Sequence, residues 1–392
     1  MIESKHCPSC SAPNIHIFYK VDNVPVHSVL NLDTREKAIQ YPKGDIRLGF
    51  CRQCGFIFNA AFDPSRSEYN CDYEATQAYS PTFNTFHQKL ASELIERYGV
   101  RNKTVIEIGC GNGEFLTLLS KLGDNNGIGF DPSFKEERLL SEEKDRVRFI
   151  KDFYSEKYSN FEADFIYSKM TLEHIHNPMD FISMVRRSIK KDDATVFFQI
   201  PEARRILRER AFWDVYYEHS SYFNSGSLKR LLIRCGFSVI DLWTGYDEQY
   251  LMITARVSGK EKPTPLSQQD DMDELNKEVS YFEKNAPEKI KEWKQKIESM
   301  KNKGKRIAIW SSSSKAVSFL TTLDIKDEIE YVIDINPYRQ GYYMAGAGQE
   351  IVGPDFLKDY RPDIVIVMNS IYKEEIKNML NERGLHPEIV AV

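Results

Sequence analysis

The 392-residue chain has no apolar run approaching the roughly 18 residues of a membrane helix, so no membrane span and no membrane partner are expected. Its first residues, Met1 to Cys7, lack the apolar centre of a secretory signal, which makes the cytoplasm the expected location. Cysteine is scarce. Seven thiols are too few for a disulfide scaffold of this size, and in a reducing compartment paired cysteines read first as metal ligands. Positive charge is not in excess either: 53 Lys and Arg face 58 Asp and Glu, a net charge of -5. That balance argues against a chain held mainly by nucleic-acid phosphates, and no nucleic-acid partner is expected. Short repeats and low-complexity tracts are lacking too. What is present is a 41% apolar, 12% aromatic composition, ample for buried cores, over a length that suggests two or three domains.

The pattern divides the chain into a zinc-binding module over residues 1–62, an α/β domain over 63–257, a helical linker over 258–303 and a second α/β domain over 304–392. From about residue 83 apolar strand-like runs alternate with amphipathic helical stretches, the signature of a parallel sheet covered by helices. The expected strands are 104–108, 127–130, 147–150, 163–167, 195–200, 237–242 and 250–256. A Pro-containing break at 258–265 reads as a linker. The Lys/Glu-rich stretch from 267 to about 303 reads as a solvated amphipathic helix bridging two domains. Strands resume at 306–310, 331–333, 364–368 and 388–391.

Cys7-Pro-Ser-Cys10 and Cys51-Arg-Gln-Cys54 each space two thiolates by two residues. Two such pairs supply the four sulfurs of a tetrahedral structural zinc, a closed site without a catalytic position. A module this small would draw folding energy from the metal. Cys71, Cys110 and Cys235 read as ordinary buried or loop residues.

The sharpest motif is Glu107-Ile-Gly109-Cys-Gly111-Asn-Gly113, an apolar strand, a glycine turn and a helix start. Glycines there let backbone approach a ligand at the carboxyl end of a first strand. The next strand ends in Asp131-Pro132, an acid placed to accept two ribose hydroxyls, and the third leads to Asp152-Phe153, an acid and an aromatic wall for adenine. A dinucleotide and S-adenosylmethionine (SAM) would both use the ribose acid. The run of motifs resembles the class I SAM-dependent methyltransferases. The resemblance implies a Rossmann-like fold closed by an antiparallel pair near 237–256. It also implies SAM contacts from Glu107, Gly109, Gly111, Gly113, Asp131, Pro132, Asp152 and Phe153.

Two segments fall where loops should follow the fourth and fifth strands: 168–178, containing Glu173-His174, and 211–223, containing Tyr216-Tyr217-Glu218-His219. Histidine suits general-base work near neutral pH, and a phenol can hydrogen-bond a developing enolate oxygen. The arginines at 204, 205, 208 and 210 read as a solvated helix face with Glu202 and Glu209.

Taken whole, the order of modules is similar to the sugar C-methyltransferases that act on nucleotide-linked 4-keto-deoxysugars. The stretches carrying the resemblance are Tyr73 through Phe83, Tyr216 through Phe223, Val332 through Gly341 and Val367 through Ile376. It implies that His219 removes the proton beside the ketone, that carbon C3 of such sugars is the one methylated, and that Tyr216 stands at the enolate or ketone oxygen. Glu218 would orient the histidine or bind a sugar hydroxyl, and Tyr73 and His174 are further catalytic candidates. The second α/β domain departs from the family pattern at Trp310–Lys315 and Met344–Gln349. The expected small-molecule partner, a nucleotide-linked keto-sugar, should lie between the two α/β domains. An O- or N-methyltransferase, a zinc-bearing nucleic-acid methyltransferase and a non-catalytic SAM- and zinc-binding protein are the alternatives. Nothing in the sequence marks an oligomeric state.

Overall fold

The computed structural model describes residues 4–66, 73–74, 76–138, 146–258 and 268–392. Cys71 and all but the first residue of the expected 258–265 linker lie outside them. No helix among the described residues is long and apolar enough to cross a membrane.

Three sheets organise the chain. The first begins with β1 (His16–Pro25), β2 (Lys43–Phe50) and β3 (Ile57–Asn59), paired antiparallel in that order. The central sheet takes β4 (Thr104–Ile108), β5 (Asn126–Phe130), β6 (Val147–Ile150), β7 (Phe165–Lys169) and β8 (Thr195–Pro201). A two-residue strand, β9 (Ser221–Tyr222), then leaves the central sheet and pairs with β3, so the N-terminal module is completed by residues well beyond position 62. β10 (Phe237–Gly245) and β11 (Tyr250–Val257) return to the central sheet as the expected antiparallel pair. The C-terminal sheet holds β12 (Ile307–Trp310), β13 (Tyr331–Ile333), β14 (Glu350–Val352), β15 (Ile364–Val367) and β16 (Glu388–Ala391). Of these, β14 was not expected: three residues flanked by turn are too short to carry a periodic signal.

The central order is β10-β11-β8-β7-β4-β5-β6, with β11 antiparallel to both neighbours. A dinucleotide fold has six parallel strands, so the reversed strand inserted between β8 and β10 separates this sheet from that rival. Chain direction diverges from β4 to β5 on one side and β7 on the other. The crevice outside the carboxyl ends of β4 and β7 is therefore the topological switch point where such sheets bind ligands. The all-parallel C-terminal sheet, β14-β13-β12-β15-β16, has its own switch point between β12 and β15. The strands of both sheets are Val/Ile-rich because both faces are covered.

The expected bridging helix runs from Gln268 to Asn302 with Pro287 inside it. It is amphipathic, but its apolar stripe is not solvated. Met272, Leu275, Val279, Phe282, Ala286, Trp293 and Ile297 are buried, a three-four spacing that keeps one face inward. Phe282 meets Phe18 and Tyr19 of β1 edge-on, and Trp293 meets Phe319 of the C-terminal domain. The polar face also has partners. Arg204 is bidentate to Glu278, Arg208 adds a contact to Glu278, and Arg205 pairs with Asp214. The arginine cluster is thus mainly an inter-element ion-pair set, not a solvated face; Glu202 instead caps its own helix by accepting from Arg204 N.

Phe282→Ala should destabilise the protein by about 3–5 kcal/mol, the cost of removing a buried aromatic side chain. Urea unfolding followed by tryptophan fluorescence checks this. A merely solvated bridge would change by less than about 0.5 kcal/mol.

Candidate active site

The glycine turn follows β4 directly. Gly109, Gly111 and Gly113 all have positive φ, at 76°, 54° and 84°. Two of them serve packing: a Cβ on Gly113 would enter the Phe149 ring, and one on Gly109 would enter the Thr171 side chain. Gly111 differs, because a Cβ there would meet nothing within 4 Å. Its N–H donates to Asp131 Oδ2 at 2.9 Å, so the turn and the carboxylate at the tip of β5 face one crevice. Asp131 Oδ1 accepts from Ser133 N and Oγ, and Pro132 is half-buried beside it.

The other expected cofactor residues divide. Asp152 sits beyond β6, held by Lys157, by Tyr158 Oη at 2.5 Å and by Phe153 N at 2.8 Å. Those bonds, Lys157 first, draw its carboxyl down to about 2. Phe153 is 64% exposed, an aromatic face open to a ligand. Glu107 lies inside β4 and accepts from Tyr167 Oη at 3.1 Å. Burial pushes it up to about 8, while the neighbouring Lys169 draws it back. Lys169 in turn lies 2.9 Å from His87 Nε2 and over the Phe115 ring. Glu107 therefore belongs to a buried acid–phenol–amine cluster behind the glycine turn.

The close packing of Gly109 on Thr171 joins this crevice to the loop after β7, where a 3-10 turn at Leu172–His174 carries Glu173 and His174. The loop after β8 arrives from another direction. Pairing of Ser221 and Tyr222 with β3, and of Ser220 O with Asn59 N at 2.9 Å, draws Glu218 and His219 inward. His219 is 4% exposed. Its ring centroid lies 4.1 Å from that of Tyr216 and 5.0 Å from that of His174, the latter edge-on. His174 Nδ1 is 3.1 Å from Glu218 O. A carbonyl only accepts, so Nδ1 carries the hydrogen and Nε2 keeps the lone pair.

The site gathers every expected catalytic candidate. Glu218 accepts from Ser28 N at 2.9 Å and bonds the Tyr73 side chain. Its carboxylate thus anchors the N-terminal segment, while only its main chain holds an imidazole. Burial shifts each titratable group toward its neutral form. His219 falls well below its ordinary value, through desolvation first and then through His174 and Lys315; His174 falls to about 4. Burial raises the Tyr216 phenol well above its ordinary value and Glu218 to about 7. At neutral pH the pocket offers neutral imidazoles and a phenol that donates.

Other residues complete it. Ser28 and His27 come from the N-terminal module, and Gln199 from the end of β8. Arg339 of the C-terminal domain is buried and donates to Leu30 O at 2.6 Å, Asn31 Oδ1 at 3.0 Å and Ser312 Oγ at 3.0 Å. Lys315, at the start of the helix after β12, meets Asp214 at 2.8 Å. Several polar atoms here are buried without a hydrogen-bond partner: both oxygens of Glu173, His219 Nδ1, Ser220 Oγ and His27 Nε2. Buried polar atoms are rarely left unpaired, so such a concentration marks a place built for a polar ligand. The lining from the loops after β7 and β8 had a sequence signal, and Tyr73 was indicated by the resemblance, whereas His27 and Ser28 had neither. Arg339 stood inside a stretch singled out for resemblance, without a role.

At the far edge, Cys7, Cys10, Cys51 and Cys54 have all four sulfurs within 4.8 Å of one another. The Cys7–Cys54 and Cys10–Cys51 separations are both 3.6 Å. Four sulfurs about 2.3 Å from a central ion in a tetrahedron would stand about 3.8 Å apart, so the cluster has the size of a metal-thiolate site. Arg230 Nε donates to Cys54 O at 2.9 Å and pairs with Asp271, and Asn224 Nδ2 donates to Gly55 O at 2.7 Å. These bonds tie the knuckle to the central domain and the long helix. Cys110 is buried and Cys235 half-buried, each away from this cluster.

Comparison with known proteins agrees with this architecture. Residues 83–242 match the model of a methyltransferase domain, and residues 258–384 that of a C-methyltransferase C-terminal domain. The chain is 22% identical over 306 residues to the C-methyltransferase NovU of Streptomyces niveus, covering 74% of this chain and 72% of that protein. It is 23% identical over 176 residues to a malonyl-[acyl-carrier protein] O-methyltransferase of Paenibacillus sp. (strain JDR-2), covering 40% of this chain and 64% of that one. Among solved structures, the 1,6-didemethyltoxoflavin-N1-methyltransferase of Burkholderia thailandensis is 15% identical, with a TM-score of 0.36 over 49% of this chain and 94% of that one.

Two measurements follow from the geometry. Gly111→Ala should keep the fold yet weaken SAM binding at least about tenfold by calorimetry, because it adds a methyl group and backbone strain of about 1–2 kcal/mol on the open side of the turn. Gly113→Ala should lower stability itself. Glu173 is pushed by burial to about 8 from an ordinary value of 4.5. The raised value means its neutral form stabilises the fold fully below about pH 4.5, a contribution lost as pH rises through about 8. Glu173→Gln should therefore gain stability relative to wild type as pH rises across that window, as read by urea unfolding at a series of pH values.

Proposed function

Since the chain is a SAM-dependent methyltransferase carrying the C-methyltransferase C-terminal domain, we propose that it methylates C3, next to the ketone of a nucleotide-linked 4-keto-deoxysugar. The carrying observation is the position of His219. It is a buried, neutral imidazole with Tyr216 against it, among unpartnered polar atoms, where the N-terminal, central and C-terminal parts of the chain meet. A ketone at C4 acidifies the C3 proton. His219 removes that proton, and the Tyr216 hydroxyl, neutral at working pH, hydrogen-bonds the oxygen on which enolate charge develops. Bound SAM supplies an electrophilic methyl group. Gly109, Gly111 and Gly113 admit it to the crevice, Asp131 holds its ribose, and Asp152 and Phe153 flank its adenine. Tyr73, Glu218 and His174 shape the sugar pocket, and the second α/β domain holds the nucleotide end through the cations and amides near its switch point. Placement of both reactants supplies much of the acceleration, since no covalent bond to the protein is needed.

The same proposal places one structural zinc on Cys7, Cys10, Cys51 and Cys54, and the protein in the cytoplasm. Four sulfurs at these separations suit zinc and close its coordination, so this ion takes no part in methyl transfer. Denatured protein should release one equivalent of zinc by a colorimetric chelator, and Cys54→Ser should aggregate. Full activity from protein stripped of metal would refute the assignment.

The chemical test is incubation with SAM and a panel of nucleotide-linked 4-keto-deoxysugars, followed by mass spectrometry for a gain of about 14 Da, one CH₂. His219→Asn should lower methyl transfer by roughly 10²–10⁴-fold with SAM affinity retained. Wild-type protein should also exchange the C3 hydrogen with deuterated solvent. Methylation without exchange, onto a sugar oxygen, would point to an O-methyltransferase.

A further inference from the structure

Four buried carboxyl groups near the carboxyl ends of the central strands are raised by burial, and they differ in what offsets it. Glu107 has Lys169 and the Tyr167 hydroxyl, Glu202 has the Arg204 N–H, and Glu218 has Ser28 and Tyr73. Glu173 has neither a cation nor a hydrogen-bond donor from any other residue. It is 1% exposed, and both its oxygens are buried without a partner. Yet a Glu173 oxygen and a ring nitrogen of each of His174 and His219 all lie within 4.8 Å of one another. His219 Nδ1 is likewise buried and unpartnered.

We infer that Glu173 is a positioning residue that acts through His219, receiving the proton that His219 takes from the substrate carbon. The inference rests on His219 being the base. Its physical ground is the cost of the alternative. If the proton stayed on His219, an imidazolium would be buried against the His174 ring with no carboxylate on it. Transfer to Glu173 leaves both groups neutral. The C3–H bond breaks and its electron pair stays with the substrate as the enolate. The proton bonds to one nitrogen of His219, and the hydrogen on the other nitrogen passes to the Glu173 carboxylate. One negative charge thereby moves from Glu173 to the enolate oxygen, where Tyr216 receives it, and no co-reactant is consumed. After methyl transfer the proton leaves to solvent.

The productive form therefore has Glu173 ionised, whereas burial favours its acid form up to about pH 8. The titratable groups that bear on Glu173 are His174 on its own turn, Tyr216 and His219 from the loop after β8, and Tyr250 from β11; Lys315 acts on His219 and is itself paired with Asp214. Both imidazoles are neutral throughout the rise, so the ascending limb belongs to the acid.

The experiment measures C3 hydrogen–deuterium exchange against pH for wild type, Glu173→Gln, Glu173→Asp and His219→Asn. The substrate is whichever nucleotide-linked 4-keto-deoxysugar the wild type turns over. Infrared difference spectra of substrate-free protein at pH 7 run alongside. Glu173→Gln should slow exchange by roughly tenfold or more, flatten its rise toward pH 8 and leave SAM affinity unchanged. It should also remove a protonated-carboxyl band that wild type shows. Glu173→Asp should restore part of the rate with a displaced limb. Wild-type exchange and an unaltered limb in Glu173→Gln, with exchange abolished in His219→Asn, would overturn the inference and leave the base assignment intact. Undiminished exchange in His219→Asn would overturn the base assignment itself. Should Glu173→Gln not fold, an unshifted limb in Glu173→Asp overturns the inference.

Discussion

Desolvation of one imidazole is the constraint on which the arrangement of the chain turns. A solvent-exposed histidine titrates near neutrality and spends part of its time charged. His219 does not, because water is excluded from it by three separate parts of the sequence. The strand pairing of Ser221 and Tyr222 with β3 fixes its backbone. The segment from His27 to Asn31 covers it, held by Glu218 on one side and Arg339 on the other. The helix bearing Lys315 closes the C-terminal side, bonded through Ser318 Oγ to Phe212 O and Val215 O. Each of these contacts helps to keep water from the imidazole and so to keep it neutral.

This explains why a zinc-sized cysteine cluster and a long helix belong to a methyltransferase at all. Neither reaches the reacting atoms. The cluster stiffens the end of β2 and the start of β3, the strand that receives β9. Arg230 then joins Cys54 O to Asp271 of the long helix, so the knuckle, the central domain and the helix are held through one guanidinium. Further along, the helix buries Phe282 on β1 and Trp293 on the C-terminal domain. Packing far from the buried histidines thereby holds the three parts of the chain that surround them in fixed positions.

The legibility of all this in the sequence follows the range of each interaction. β4, β6, β13 and β16 stand where the apolar runs predicted them, because a short, mostly apolar run bounded by turn residues leaves its signal in the chain itself. The fourth central strand lies later than expected, at Phe165–Lys169, because Asp164 is spent on bonding Thr104 N and the pleat begins after it. The Glu-His pairs were visible as motifs, and the cysteine pairs as spacing. What could not be seen was long-range. Ser28 and Arg339 join the site through contacts spanning 190 and 309 residues, and nothing local marks either one. The arginine cluster was legible only in part for the same reason: Glu209 does pair with Arg205 within one helical turn, whereas Glu278 and Asp214 stand on other elements, beyond a search over one turn.

The net charge of -5 poses a last requirement for an anionic substrate. Net charge of this sign would not draw in the nucleotide-linked sugar proposed above, so its recognition would have to be local. Of the cations at the C-terminal switch point, Lys315 is already neutralised by Asp214 at 2.8 Å. Arg339 is not held in that way. Its hydrogen bonds go to the carbonyls of Leu30 and Ser312, the Asn31 amide oxygen and the Ser312 hydroxyl, all uncharged. Asp334, the nearest acid by its influence on Arg339, is itself occupied by Ser312 N and Oγ. Asp334 and Glu74 act on Arg339 across the intervening hydrogen bonds instead of pairing with it, so this guanidinium ties the C-terminal domain to the 30–31 segment through uncharged partners.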